Sequence, residues 1–129
     1  MIPVNRIHHV SVICSDYEKS KTFYTEIVGL KMTGEIYREA RQSWKADLTL
    51  HGVYVLELFS FPAPPARITQ PEATGLRHLA FEVNNIDESI AVLKKSNTRY
   101  EPIRTDELTG KRFTFIFDPD NLPIELYEK

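Results

Sequence analysis

Four residues set the chemical possibilities of this chain: His9, Glu57, His78 and Glu125. The histidines lie 69 positions apart (9 to 78) and the glutamates 68 apart (57 to 125). Each histidine precedes its glutamate by a similar interval, 48 positions (9 to 57) and 47 positions (78 to 125). The glutamates share a context, VLEL against PIEL. Two imidazoles and two carboxylates converging in one cavity make a divalent-metal site. Neutral histidines with two carboxylates balance a 2+ ion, and mixed nitrogen and oxygen donors suit Zn, Ni, Co, Mn or Fe. Four protein donors in an octahedral field leave two adjacent positions for two oxygens of a substrate. One histidine or glutamate on a strand is usually an ordinary side chain. The equivalence of all four across two halves is what singles out the set.

The elements that must position these residues repeat in the same way. Residues 7–14 alternate as a strand, with Val10, Val12 and Cys14 on one face and Ile7, His9, Ser11 and Ile13 on the other. Ser15 and Asp16 offer a helix N-cap, Tyr17, Ser20, Phe23 or Tyr24, and Ile27 follow helical spacing, and Gly29 supplies the stop. Strands are predicted at 31–38, 43–50 and 53–59, the last two joined by a His51-Gly52 turn. A connection from 61 to 75 with four prolines precludes a central strand or helix and reads as a linker or lid. A strand at 76–83 follows, then a helix capped near Asn84, Asn85 and Asp87 whose buried face is Ile86, Ile90 and Leu93. Strands at 100–103, 113–117 and 122–127 complete the second half, with a turn at 118–121.

The predicted fold is α+β: two tandem βαβββ modules forming a curved mixed sheet around a metal cavity. Module one covers about 5–60 and module two about 76–128 of a single domain, with the linker at 61–75. Strand parity places Glu57 with Val55 and Phe59, opposite Tyr54, Leu56 and Leu58. Glu125 shares a face with Tyr127, His78 with Ala80, and His9 with Ser11. In each strand the strongly apolar face is the one the helices cover, so the four polar residues project from the concave face. Ser11 and Ala80 are small and leave room there.

Composition narrows the function classes. The chain has 129 residues, 42% hydrophobic and 26% charged, enough for one folded domain with a core. A formal charge of -2 without a basic run or acidic tail gives no footprint for nucleic acid. One cysteine, Cys14, excludes an internal disulfide and a Cys-rich zinc module, and its apolar strand makes it a buried thiol. The start, MIPVNRIHHV, lacks the apolar run of a signal peptide, and no stretch is long and apolar enough to span a bilayer. The expectation is a cytoplasmic protein with a small-molecule substrate, no nucleic-acid partner and no membrane.

These residues resemble the vicinal oxygen chelate superfamily, which includes glyoxalase I, methylmalonyl-CoA epimerase, extradiol dioxygenases and fosfomycin-resistance enzymes. The resemblance covers essentially the whole chain and rests on IHHVSVICSDYEKSKTFYTEIVGL, VLELFSF, GLRHLAFEV and FDPDNLPIELYEK. It implies metal ligands on the first and fourth strand of each module, here His9, Glu57, His78 and Glu125. It also selects His9 over its neighbour His8, because His9 lies seven residues before Asp16 (9 to 16), as the ligand does before the equivalent aspartate in glyoxalase I. Parity agrees, since His8 would face the helix as a structural residue. A homodimer is implied as well.

The full His-Glu-His-Glu set is most similar to the glyoxalase I and epimerase branch. There a metal holds vicinal oxygens while a carboxylate moves a proton on the adjacent carbon. The resemblance implies Glu125 as that base, with Glu57 as its symmetric partner. Two departures bear on the substrate. Ile13 stands where glyoxalase I has an arginine for glutathione, and Phe61 where it has an asparagine, so a glutathione thioester is not the expected substrate. Candidate substrate contacts are Arg38, Arg41, Trp44 and Lys45 in YREARQSWK, with Arg77 and Arg112. A second reading is an extradiol-type non-haem iron dioxygenase using His9, His78 and Glu125, against which Glu57 counts as a fourth ligand in a position needed by catechol or oxygen. A third is a non-catalytic binder of small molecules or antibiotics, a role in which the metal set is usually lost.

Overall fold

A computed structural model describes all residues, 1–129. The chain divides into two compact units, Met1–Pro65 and Ala66–Lys129. Each carries one open four-stranded mixed sheet of an α+β fold.

In the first unit the order is β1 (Val10–Cys14), α1 (Tyr17–Thr22), β2 (Lys31–Arg38), β3 (Ser43–Leu50) and β4 (Val53–Ser60). The sheet order is β1-β4-β3-β2, with β1 parallel to β4 and the other pairs antiparallel. Asp16 caps α1 by accepting from the Lys19 amide at 3.1 Å. The helix continues as a wider π turn, Phe23–Ile27, before Gly29 reverses the chain at φ +86. Tyr17, Ser20, Phe23 and Tyr24 are buried together with Val12, Cys14, Ala46, Leu48, Leu56 and Leu58. Alternation therefore leaves Ser11, Lys45, Asp47, Glu57 and Phe59 on the opposite, open face.

The second unit repeats the plan: β5 (Leu79–Val83), α2 (Ile86–Lys95), β6 (Arg104–Thr105), β7 (Arg112–Phe117) and β8 (Pro123–Glu128). Its sheet order is β5-β8-β7-β6. The Asn85 side chain accepts from the amides of Asp87 at 2.8 Å and Glu88 at 3.2 Å, a cap worth about 1 kcal/mol. Ile86, Ile90 and Leu93 of α2 are buried with Ile116, Ile124 and Leu126. Phe113, Phe115, Phe117 and Glu125 alternate with these and stand on the open face. No helix is long and apolar enough to cross a membrane.

Three local expectations need correction. Regular pairing begins at Val10 and Leu79, not at residues 7 and 76, so His9 and His78 sit immediately before their strands. The strand expected at 100–103 is reduced to a single bridge from Tyr100 to Ile116, and a two-residue strand at 104–105 supplies the edge. Pro102, which has no amide hydrogen to donate, interrupts that segment. Finally, Leu48 pairs with Leu56 but Thr49 with Tyr54. One extra residue in β4, Val55, breaks the alternation and turns Tyr54 to the side of Glu57, opposite to its expected face.

Candidate functional site

Each unit brings one histidine to one glutamate. In the first, His9 Nε2 lies 3.4 Å from Glu57 Oε1; in the second, His78 Nε2 lies 3.2 Å from Glu125 Oε2. The pairing follows from the parallel register. Ser11 pairs with Glu57 and Ala80 with Glu125, so the residue two before each small one stands beside the carboxylate.

The surroundings of the two pairs differ. Glu57 accepts a hydrogen bond from the Ser11 hydroxyl. Tyr54 shares its one phenol proton between Glu57 Oε2 at 3.0 Å and Asp47 Oδ1 at 2.9 Å. Lys45 Nζ lies 3.1 Å from Asp47 and 3.5 Å from Glu57. Gly34 opposite Asp47 keeps this network open, because a Cβ there would meet Asp47 Oδ2 at 3.2 Å. Burial raises the Glu57 pKa, but bonds from Ser11 and Tyr54 and the charges of His9 and Lys45 outweigh it and hold the carboxyl below its ordinary range. Burial, with the bonds to Asp47 and Glu57, pushes the Tyr54 phenol well above its ordinary range, so it remains a donor.

Around Glu125 the register substitutes Ala80 for Ser11 and Phe115 for Asp47. His78 is its one ion-pair partner, and no side chain donates it a hydrogen bond. The His78 ring meets Phe115 edge-on at 5.2 Å, and Phe113 stacks on Tyr127. The open face is polar in the first unit and aromatic in the second.

The donors fit a metal. Two ligands bound about 2.0–2.2 Å from one ion at right angles stand about 3 Å apart, close to both His–Glu separations. In each ring Nε2 is the nitrogen available. His9 Nδ1 is engaged by His8 Nδ1 at 2.8 Å, and His78 Nδ1 is buried without a hydrogen-bond partner. No three His, Cys, Asp or Glu side chains stand together as a metal-holding group; each unit by itself presents two donors. His8 departs from expectation: it packs against His9 and Tyr54, at ring distances of 5.1 and 5.4 Å, instead of facing the helix. Alternation cannot be carried back to a residue that precedes the strand.

The other candidate contacts scatter. Lys45 joins the Glu57 network, and the Arg38 guanidinium lies 4.6 Å over the Phe59 ring on the same face. Arg41 lies exposed in a 3-10 turn, Glu39–Arg41, and meets neither pair. Trp44 stacks on Tyr17 at 5.4 Å, on the helix side of the sheet. Arg112 is also on the helix side, forked onto Glu128 at 2.8 and 3.0 Å and paired with Asp87 at 3.1 Å. Arg77 pairs with Glu72 and lines a cavity with His78. Tyr54 and Asp47 escaped sequence reasoning. The β4 bulge hid the first, and an aspartate two residues from Lys45 carried no distinguishing signal.

A family model for the glyoxalase/bleomycin resistance protein/dioxygenase superfamily matches residues 6–126. The chain belongs to this superfamily. It is 61% identical over 123 residues to the uncharacterized protein YwkD of Bacillus subtilis (strain 168), covering 95% of this chain and 96% of that one. It is 55% identical to the uncharacterized protein YaeR of Escherichia coli (strain K12), over the full length of both. A crystal structure of a glyoxalase family protein from Enterococcus faecalis superposes with a TM-score of 0.87 at 46% identity, covering 95% of this chain and 97% of that one. The superfamily includes enzymes. A lactoylglutathione lyase of Schizosaccharomyces pombe is 29% identical over 94% of this chain and 46% of that protein. A 2-epi-5-epi-valiolone epimerase of Actinomyces sp is 26% identical over 93% of this chain and 77% of that protein.

Proposed function

We propose that this protein is a divalent-metal-dependent lyase or isomerase of the glyoxalase type, which moves a proton on the carbon next to a substrate's vicinal oxygens. His9, Glu57, His78 and Glu125 are the protein donors to the ion, through Nε2 of each histidine. When bound, the ion supplies Lewis-acid polarisation of the substrate oxygens. A homodimer is the expected assembly.

The unequal support of the two carboxylates carries the assignment of roles. Moving Glu57 would break its bonds from Ser11 and Tyr54, each worth about 1.5–3 kcal/mol for a charged acceptor. Glu57 is therefore a stationary ligand. Glu125 has no such anchors, and its aromatic neighbours do not replace water around a charge. It is the carboxylate able to take a proton from carbon and return it to the other side or to the neighbouring atom. Lyase and epimerase relatives both fit proton transfer of this kind.

The test is deuterium wash-in from D2O across small 2-oxo acids, 2-hydroxy acids and thiol adducts, followed by NMR with and without added Ni or Zn. Metal-dependent exchange at the carbon beside the vicinal oxygens is expected. Oxygen uptake with catechols and no such exchange would contradict the proposal in favour of the dioxygenase.

A further inference from the structure

The second unit contains a cavity of about 200 Å3 with His78 on its wall. Three arginines also line it, and they are not equivalent. Arg77 is matched by Glu72 at 2.5 Å and Arg104 by Glu101 at 3.0 Å. Arg67 has no carboxylate partner. Its Nε donates to the Thr69 hydroxyl at 3.1 Å, and its Nη2 to the carbonyls of Leu76 at 2.6 Å and Arg77 at 3.2 Å. Thr69 is itself buried and donates to the Asn121 carbonyl at 2.8 Å. All these partners are neutral, and Nη1 takes no part in the bonds. The guanidinium is held by neutral groups and makes no ion pair of its own.

We propose that this cavity binds the anionic group of a small molecule, a carboxylate or a phosphate, with Arg67 as its anchor. A planar guanidinium matches either oxyanion through two parallel bonds. Because Arg67 is held by the loop, less side-chain freedom is lost on binding than at an exposed arginine. Phe115, Phe117 and Pro123 line the same cavity, so the body of the ligand meets an apolar surface beside the charge. The cavity opens to solvent and has room for a small organic acid. On the proton-transfer reading above, the substrate is a small oxo or hydroxy acid. Its vicinal oxygens lie toward His78 and its carboxylate or phosphate lies on Arg67.

The binding step is tested without metal, on EDTA-treated full-length protein at low salt. Malonate and methylphosphonate are titrated by calorimetry and by amide NMR. At least one should bind once per chain and shift the amides of Arg67, Thr69 and Phe115; the tighter of the two identifies carboxylate or phosphate as the source. Arg67→Met should weaken that binding at least tenfold, whereas Lys94→Gln, which removes a charge from α2, should not. Arg67→Met also loses its loop bonds, so Ala73→Glu provides a second variant that leaves them and adds a negative charge to the cavity wall; it should abolish binding. The proposal is overturned if neither anion shifts the cavity amides, or if folded Arg67→Met and Ala73→Glu both bind like the parent. A chain that binds these anions but no metal would instead contradict only the proton-transfer reading.

Discussion

Glu57 and Glu125 occupy the same place in a duplicated module, each across a parallel register from a small residue and beside a histidine. Their neighbours set them apart. Ser11, Tyr54 and Lys45 converge on Glu57; Ala80 and Phe115 flank Glu125 and donate nothing. The two units keep a His–Glu pair in the same place, while single neighbouring side chains decide how tightly each carboxylate is held. On the proposed reading the two take different parts: one carboxylate stays on the metal and the other is free to move a proton. The asymmetry is thus as informative as the repeat.

The largest effect that could break this comparison is expected at Glu125. Glu125→Gln should lower the rate of metal-dependent deuterium exchange by about 10²–10⁴-fold, with the metal still bound. Exchange at the parent rate would remove Glu125 from the chemistry. Next in size is Tyr54→Phe, which releases Glu57 and leaves Asp47 facing it without the shared proton. Metal affinity should fall about 10–100-fold by calorimetry, the usual cost of losing a partner that orients a ligand. An unchanged affinity would mean that the network does not support the ligand. Ala80→Ser reverses the logic by giving Glu125 the hydroxyl that Glu57 has. Exchange should slow about tenfold, the worth of one added bond to a charge, and metal affinity should not fall.

The smallest effect lies away from both pairs. Hydrogen bonds from Arg112, then from the Ile86 amide, hold the Glu128 carboxyl down at about 2. A depressed carboxylate contributes stability above its unfolded value near 4.5, and that contribution is lost as pH falls toward 2. Arg112→Met should therefore be less stable than the parent at pH 7, and the gap should narrow between pH 5 and 2 in urea titrations. A constant gap across that window would show that the pair contributes no pH-dependent stability.

Much of this architecture was legible in the sequence because period and punctuation agreed. Apolar alternation around Leu56, Leu58, Ile124 and Leu126 marked the covered faces, and Asn85 and Gly29 marked a helix start and stop. The doubled spacing of His9, Glu57, His78 and Glu125 singles out one set of four donors, of which each unit brings together one histidine and one glutamate. The bulge at Val55 was not legible, since an extra residue in a strand is fixed by pairing and leaves no local signature. Alternation alone therefore puts Tyr54 on the wrong face and hides the hydrogen bonding that distinguishes Glu57. His8 is illegible for a related reason, since strand alternation does not hold before pairing begins at Val10. Arg67 lay in a proline-rich linker, and only the folded loop reveals carbonyls and a threonine closing around its guanidinium.

The central claim, a stationary Glu57 and a mobile Glu125, is tested most directly by metal affinity, which needs no substrate. Ni or Zn is titrated by calorimetry into the parent, Glu57→Gln and Glu125→Gln. The account expects Glu57→Gln to lose at least a hundredfold in affinity and Glu125→Gln about tenfold or less. Equal losses, or the larger loss at Glu125, would contradict it.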